Sequence, residues 1–204
     1  MGIRNLSSSS IISGIKRSKF HDQSTFLDDF VLIASTTLGS DNAYIELTNI
    51  PQIYVNLRLI TLIKDKDTVT SSGNGVTRCL VSFNGDTTNA NYYNGGMQSY
   101  VTYASNGSIT SFREATRNSF GEGLRSNETA WGSNIIDIWE YTSIKTKVAR
   151  SWCNANGSAA NGGQVALMST YWNGTAGISS IRISSESGYN IATGSAMYLY
   201  GTRS

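Results

Sequence analysis

Apolar residues recur at every second position in several stretches of the chain. Ile45 and Leu47 take one side, while Tyr44 and Glu46 take the other. Ile53, Val55, Leu57, Leu59 and Ile63 fall at period two over residues 53–63. Successive side chains of an extended chain point to opposite faces, so each series lines one pleated face. The pattern predicts strands over 43–50 and 53–63, with Ile53, Val55, Leu57 and Leu59 in the core. Pro51 lies between them, where its missing N–H does no harm.

Shorter apolar or alternating runs predict further strands at 30–34, 76–83, 92–93, 98–104, 135–142, 143–153, 164–172, 178–185 and 195–200. Asn84-Gly85-Asp86, Asn106-Gly107, Asn173-Gly174 and Ser187-Gly188 are turn signals between runs. Asn-Gly accepts positive φ and so favours tight turns. Residues 64–75 and 154–163 are small and polar, and read as loops. Residues 112–120 have the pattern of a short helix, which Gly121 and Gly123 would end. About nine to eleven strands at spacings of about 8 to 15 residues imply an antiparallel sandwich or barrel rather than βαβ units. The expected fold is all-β: an antiparallel, jelly-roll-like β-sandwich over 30–204, preceded by an extended arm over 1–29.

Composition supports this reading. Charged residues are 15% of the chain, against a usual quarter, and 20 glycines accompany a single proline. Long-helix proteins look different, and so do disordered chains. The net charge of +2 is too small to make nucleic acid or an anionic membrane the expected partner. No run of 18 apolar residues and no signal-peptide pattern is present. Residues 1–21 nevertheless carry Arg4, Lys16, Arg17 and Lys19 and no acid. With the apolar Ile11, Ile12 and Phe20, these residues make the segment a candidate anchoring arm.

Candidate chemistry is sparse. His21 is the one histidine, and it lies in the arm. A Ser-His-Asp or Cys-His site would have to use it. Cys79 and Cys153 are too few and too far apart for a disulfide framework or a zinc site. Cys79 alternates with Val81 and Phe83 and reads as a buried thiol. Asp86 is explained by turn hydrogen bonding. Asp137 alternates with Ile136 and Ile138 and should face solvent or a partner. No enzyme activity, metal or cofactor is expected. Tyr92, Tyr93, Trp131 and Trp172 lie beside polar loops, where aromatics stack on sugars, anchor protein contacts or cap the ends of a sandwich.

Several segments, in order, resemble virion structural proteins of tailed bacteriophages. The run Ile-Glu-Leu-Thr-Asn-Ile-Pro-Gln-Ile-Tyr-Val-Asn-Leu-Arg-Leu-Ile at 45–60 is similar to their Ile-Pro-Gln-x-Tyr element and following strand. Phe83-Asn84-Gly85-Asp86 with Asn91-Tyr92 resembles a second element. Trp172-Asn-Gly-Thr-Ala-Gly-Ile178, Ile181-Arg-Ile183 and Gly194-Ser-Ala-Met-Tyr-Leu-Tyr-Gly201 resemble their closing strands. The likeness spans about residues 43 to 201 and leaves out 1–29. It implies a β-sandwich used in head decorations, head fibres and tail fibres, with no catalytic residues to carry over. The expected role is a capsid decoration or cement protein, or a short appendage, on a virion assembled in the bacterial cytoplasm. The expected partners are capsid or tail subunits and further copies of the chain, with a trimer as the expected oligomer. The alternative is a head or tail fibre that recognises host surface glycans.

Overall fold

The computed structural model describes residues 30–66, 76–102, 105–115, 124–125, 131–155, 163–186 and 188–202. The arm residues Arg4, Ile11, Ile12, Lys16, Arg17, Lys19 and Phe20, and His21 with them, lie outside these. Thirteen strands are present among the described residues. They are β1 (Phe30–Thr37), β2 (Tyr44–Leu47), β3 (Asn56–Ile63), β4 (Val76–Thr77), β5 (Cys79–Phe83), β6 (Tyr92–Thr102) and β7 (Ser105–Ala115). β8 (Leu124–Arg125), β9 (Gly132–Trp139), β10 (Lys147–Ala155), β11 (Gly163–Trp172), β12 (Ile181–Ser185) and β13 (Ala196–Thr202) complete the set. A single 3-10 turn at Asn89–Asn91 interrupts the all-β pattern.

The strands form two antiparallel sheets packed face to face, a β-sandwich. The large sheet has eight strands in the order β1-β13-β3-β9-β10-β11-β6-β7, and the small one has three, β2-β12-β5. A short ribbon pairs β4 with β8. The core lies between the small sheet and the β13-β3-β9-β10 part of the large one. Ile45, Leu47, Val81, Phe83, Ile181 and Ile183 meet Leu57, Leu59, Ile136, Ile138, Met197 and Leu199 there. The alternation in each strand supplies one such face. β10 is the clearest, with burial alternating over all nine residues.

The expected strand over 53–63 begins three residues late. Ile53 is 76% exposed and Val55 42%, while Leu57 and Leu59 are buried. Residues 51–55 form a turn instead, because the Tyr141 hydroxyl donates to the Pro51 carbonyl and Gln52 Nε2 reaches the carbonyls of Ile50 and Ile178. The period-two series thus runs on past the end of the pleat. Residues 92–93 and 98–102 belong to one continuous strand, β6, while 103–104 lie outside the described residues. Asn106-Gly107 is not its turn, since both residues lie within β7, where the register with β6 shifts between Tyr100 and Thr102. Residues 112–115, expected to open a helix, are also in β7; they pair with β6 residues Tyr93 to Gly96 and so keep the 2.0 period. The expected run 76–83 is broken at Arg78 into β4 and β5.

Candidate functional site

Three of the turn residues hold the molecule together locally. Asn84 and Gly85 both have positive φ, 53° and 71°, as a tight two-residue turn of this kind requires, and the turn carries the chain out of β5 toward the other sheet. The Asn84 side chain donates to the Gly177 carbonyl at 2.9 Å and accepts from the N–H groups of Ser179 and Ser180 at 2.7 and 3.1 Å. The Asp86 carboxylate accepts from the Thr88 N–H at 2.9 Å, the Asn91 amide at 2.9 Å and the Trp172 indole at 2.8 Å. Burial would raise the Asp86 carboxyl, but these hydrogen bonds outweigh it and leave the pKa below the ordinary value.

The four aromatics singled out in the sequence do not share a surface. Tyr92 and Trp172 are buried and stack on one another, with ring centroids 6.4 Å apart. The Tyr92 hydroxyl accepts from the Phe83 N–H and donates to the Asp86 carbonyl, and burial pushes its pKa up. Both rings therefore close the end of the core and offer nothing to a sugar. Tyr93 points the other way along β6 and meets Tyr171 edge-on at 5.9 Å. Trp131 is half-buried, with the Lys64 ammonium 5.0 Å from its ring. The period-two rule separates Tyr92 from Tyr93 as soon as β6 is recognised as one strand.

The sequence reading missed the outer face of the large sheet. Strand register aligns its side chains in rows that cross the strands. One row is Tyr198, Ile60, Ile135, Trp152, Leu167 and Met97, one residue from each of six neighbouring strands. Trp152 is 52% exposed and Met97 51%. A neighbouring row holds Arg58, Asp137 and Arg150, and beyond it lies a row with Trp139, Val148, Tyr171 and Tyr93. On the other side come Leu62, Ser133, Asn154 and Val165. Exposed apolar residues are ordinary singly; here one row of apolar side chains crosses six strands, with further exposed apolar residues in the rows around it.

The charged row is well ordered. Arg58 Nε donates to Asp137 Oδ1 at 2.6 Å and its terminal nitrogen to Oδ2 at 3.0 Å, a bidentate pair. Arg150 donates to the same Oδ2 at 3.1 Å. Arg58 lies 4.6 Å from the centre of the Phe30 ring, and Arg150 5.3 Å from that of Trp139. Burial alone would raise the Asp137 carboxyl, and the two arginines reverse that and hold it below the usual carboxylate value. The hydrogen bond to Asp137 raises Arg58 in turn. Two shallow clefts of about 210 and about 360 Å³ flank Trp139, lined in part by Asn56, Arg58, Asp137 and Glu140.

The remaining reactive groups are structural in placement. Cys79 and Cys153 are buried free thiols, and desolvation pushes the Cys79 pKa well up. Among the described residues no group of three His, Cys, Asp or Glu side chains is placed to hold a metal. Asp86 and Asp137 have lowered pKa values, the opposite of what a general acid needs. No protein-family model matches the chain, and no curated protein and no solved structure matches it.

Proposed function

We propose that this chain is a non-catalytic structural subunit of a tailed-phage particle: a capsid decoration or cement protein, or a short appendage. The observation that carries the reading is the outer face of the large sheet. A protein that works by contact needs a flat, partly apolar surface with ordered charges, and this sheet presents one across six strands. The ordered sequence resemblance supplies the phage context. The partners are capsid or tail subunits and further copies of the chain.

Glycan recognition has less support. Tyr92 and Trp172 are turned into the core, Tyr93 is packed on Tyr171, and Trp131 lies under Lys64.

The test is mass spectrometry of purified particles, followed by deletion of residues 1–21. The full chain should be found on particles, and the truncated chain should fold and be lost from them. Full occupancy by the truncated chain would place the anchor on the sandwich. Absence of the full chain from particles would end the virion reading. Release of oligosaccharides from host polysaccharide, abolished by replacing a carboxylate, would overturn the non-catalytic part.

A further inference from the structure

The outer face of the large sheet has an internal symmetry. The six strands of its longest apolar row run β13-β3-β9-β10-β11-β6, and their midpoint, like that of all eight strands, falls between β9 and β10. We infer that this face packs on the same face of a second copy, about a two-fold axis parallel to the strands and midway between β9 and β10. Such an axis sets each β9 opposite the other copy's β10, each β3 opposite β11, and each β13 opposite β6.

The strand register then fixes which residues meet, because each row stays a row. Ile135 lies opposite Trp152, Ile60 opposite Leu167, and Tyr198 opposite Met97. In the row beyond the arginines, Trp139 lies opposite Val148. On the other side, Leu62 lies opposite Val165 and Ser133 opposite Asn154. The charged row is complementary to itself: Asp137 of each copy faces Arg150 of the other. A displacement of the sheets by one strand would keep apolar residues opposite apolar ones but set Asp137 opposite Asp137, or Arg150 opposite Arg150. Sheets packed this way cross at about 30°, so the matching is closest at the centre, where the charged row and Ile135 with Trp152 lie.

Size and composition also favour a second copy over a small ligand. Six strands span about 24 Å and four rows about 20 Å, or roughly 500 Å² in projection. The accessible area is greater, because side chains stand up from the sheet, and a standard interface takes about 800 Å² from each partner. Trp, Tyr, Met and Arg are the residues enriched in such interfaces, and all four types are here. An isologous pairing needs nothing but this face on each side, whereas the expected trimer would need two different complementary faces. The inference goes beyond the phage assignment and stands or falls separately from it, since particle location does not enter the test.

The test uses the full chain and light scattering coupled to size exclusion at micromolar concentrations. The expected mass is twice 22.1 kDa. Asp137→Arg and Arg150→Asp should each weaken dimerisation when alone. Mixed together they should dimerise with one another, because both cross-copy contacts are then opposite in charge. Trp152→Glu should weaken dimerisation about 30-fold or more with the circular dichroism unchanged. Should either charge variant misfold, single cysteines decide: a chain with Ile135→Cys should cross-link to a chain with Trp152→Cys through a bis-maleimide that spans about 10 Å, the spacing of stacked sheets. A monomer, a trimer, a dimer indifferent to Trp152→Glu, or no cross-link between those two chains would each overturn the inference. A full chain that stays monomeric, with dimers appearing only once residues 1–29 are removed, would also overturn it, and would make that segment the occupant of the face.

Discussion

Single residues in unusual positions carry clear energetic consequences. Asn84 sits at positive φ and ties the turn after β5 to the segment 177–180 through several hydrogen bonds. Asn84→Ala removes those bonds and leaves a β-carbon-bearing residue in the left-handed region, so it should cost about 2 to 3 kcal/mol by urea unfolding. Glu140 also has positive φ, 46°, with an exposed side chain. Glu140→Gly should therefore stabilise, by about 0.5 to 1 kcal/mol. The Tyr92 hydroxyl links the Phe83 N–H to the Asp86 carbonyl inside the core. Tyr92→Phe leaves both groups without that partner and should cost about 1 to 3 kcal/mol, with little change in fold. Asn84-Gly85 was legible in the sequence, as was the buried Cys79. The left-handed Glu140 was not, because no local rule places a glutamate there.

At the level of elements, β3 shows where periodicity misleads. The series from Ile53 to Ile63 breaks only at Thr61, yet the strand begins at Asn56. Ile53→Thr should change stability by less than about 0.5 kcal/mol, whereas Leu57→Ala should cost about 2 to 5 kcal/mol. Equal losses in thermal unfolding would return residues 53–55 to the core. β9 and β10 show another case: strands were expected at 135–142 and 143–153, they cover Gly132–Trp139 and Lys147–Ala155, and their outer faces were not read at all. Ile135, Trp139, Val148 and Trp152 look like ordinary strand residues one at a time. Their alignment into rows depends on register between strands, and register is a long-range property.

For the whole molecule, acid sensitivity should trace to its tied carboxylates. Asp41 accepts hydrogen bonds from Lys66, at 2.7 Å, and from Thr193, and its pKa falls to about 2. Asp86 and Asp137 are lowered as well. A carboxylate whose folded pKa lies below its unfolded one contributes stability above the unfolded value, near 4, and loses it as the pH falls through the folded one. Stability should thus be level from pH 7 to about pH 5 and drop on further acidification. Asp137→Asn should lower the plateau and flatten the acid limb, which urea melts at several pH values would show. An unchanged acid limb would mean that the Arg58–Asp137–Arg150 row contributes nothing to folding.

The sequence by itself determined the class of fold. Period-two alternation, polar turns and the scarcity of charge leave few ways to bury the apolar residues other than two antiparallel sheets. It also separated the two faces of β2, β5 and β9, through Ile45 with Leu47, Cys79 with Val81 and Phe83, and Ile136 with Ile138, because one face of a strand follows from its spacing alone. Tertiary structure decided the rest. It placed eight strands in one sheet and three in the other, sent Tyr92 and Trp172 inward, and joined Arg58 to Asp137 across 79 positions of chain. It also lined up the six-strand outer face. These outcomes depend on which strand lies beside which and in what register, and non-local pairing energies, which no short stretch of sequence contains, settle that choice.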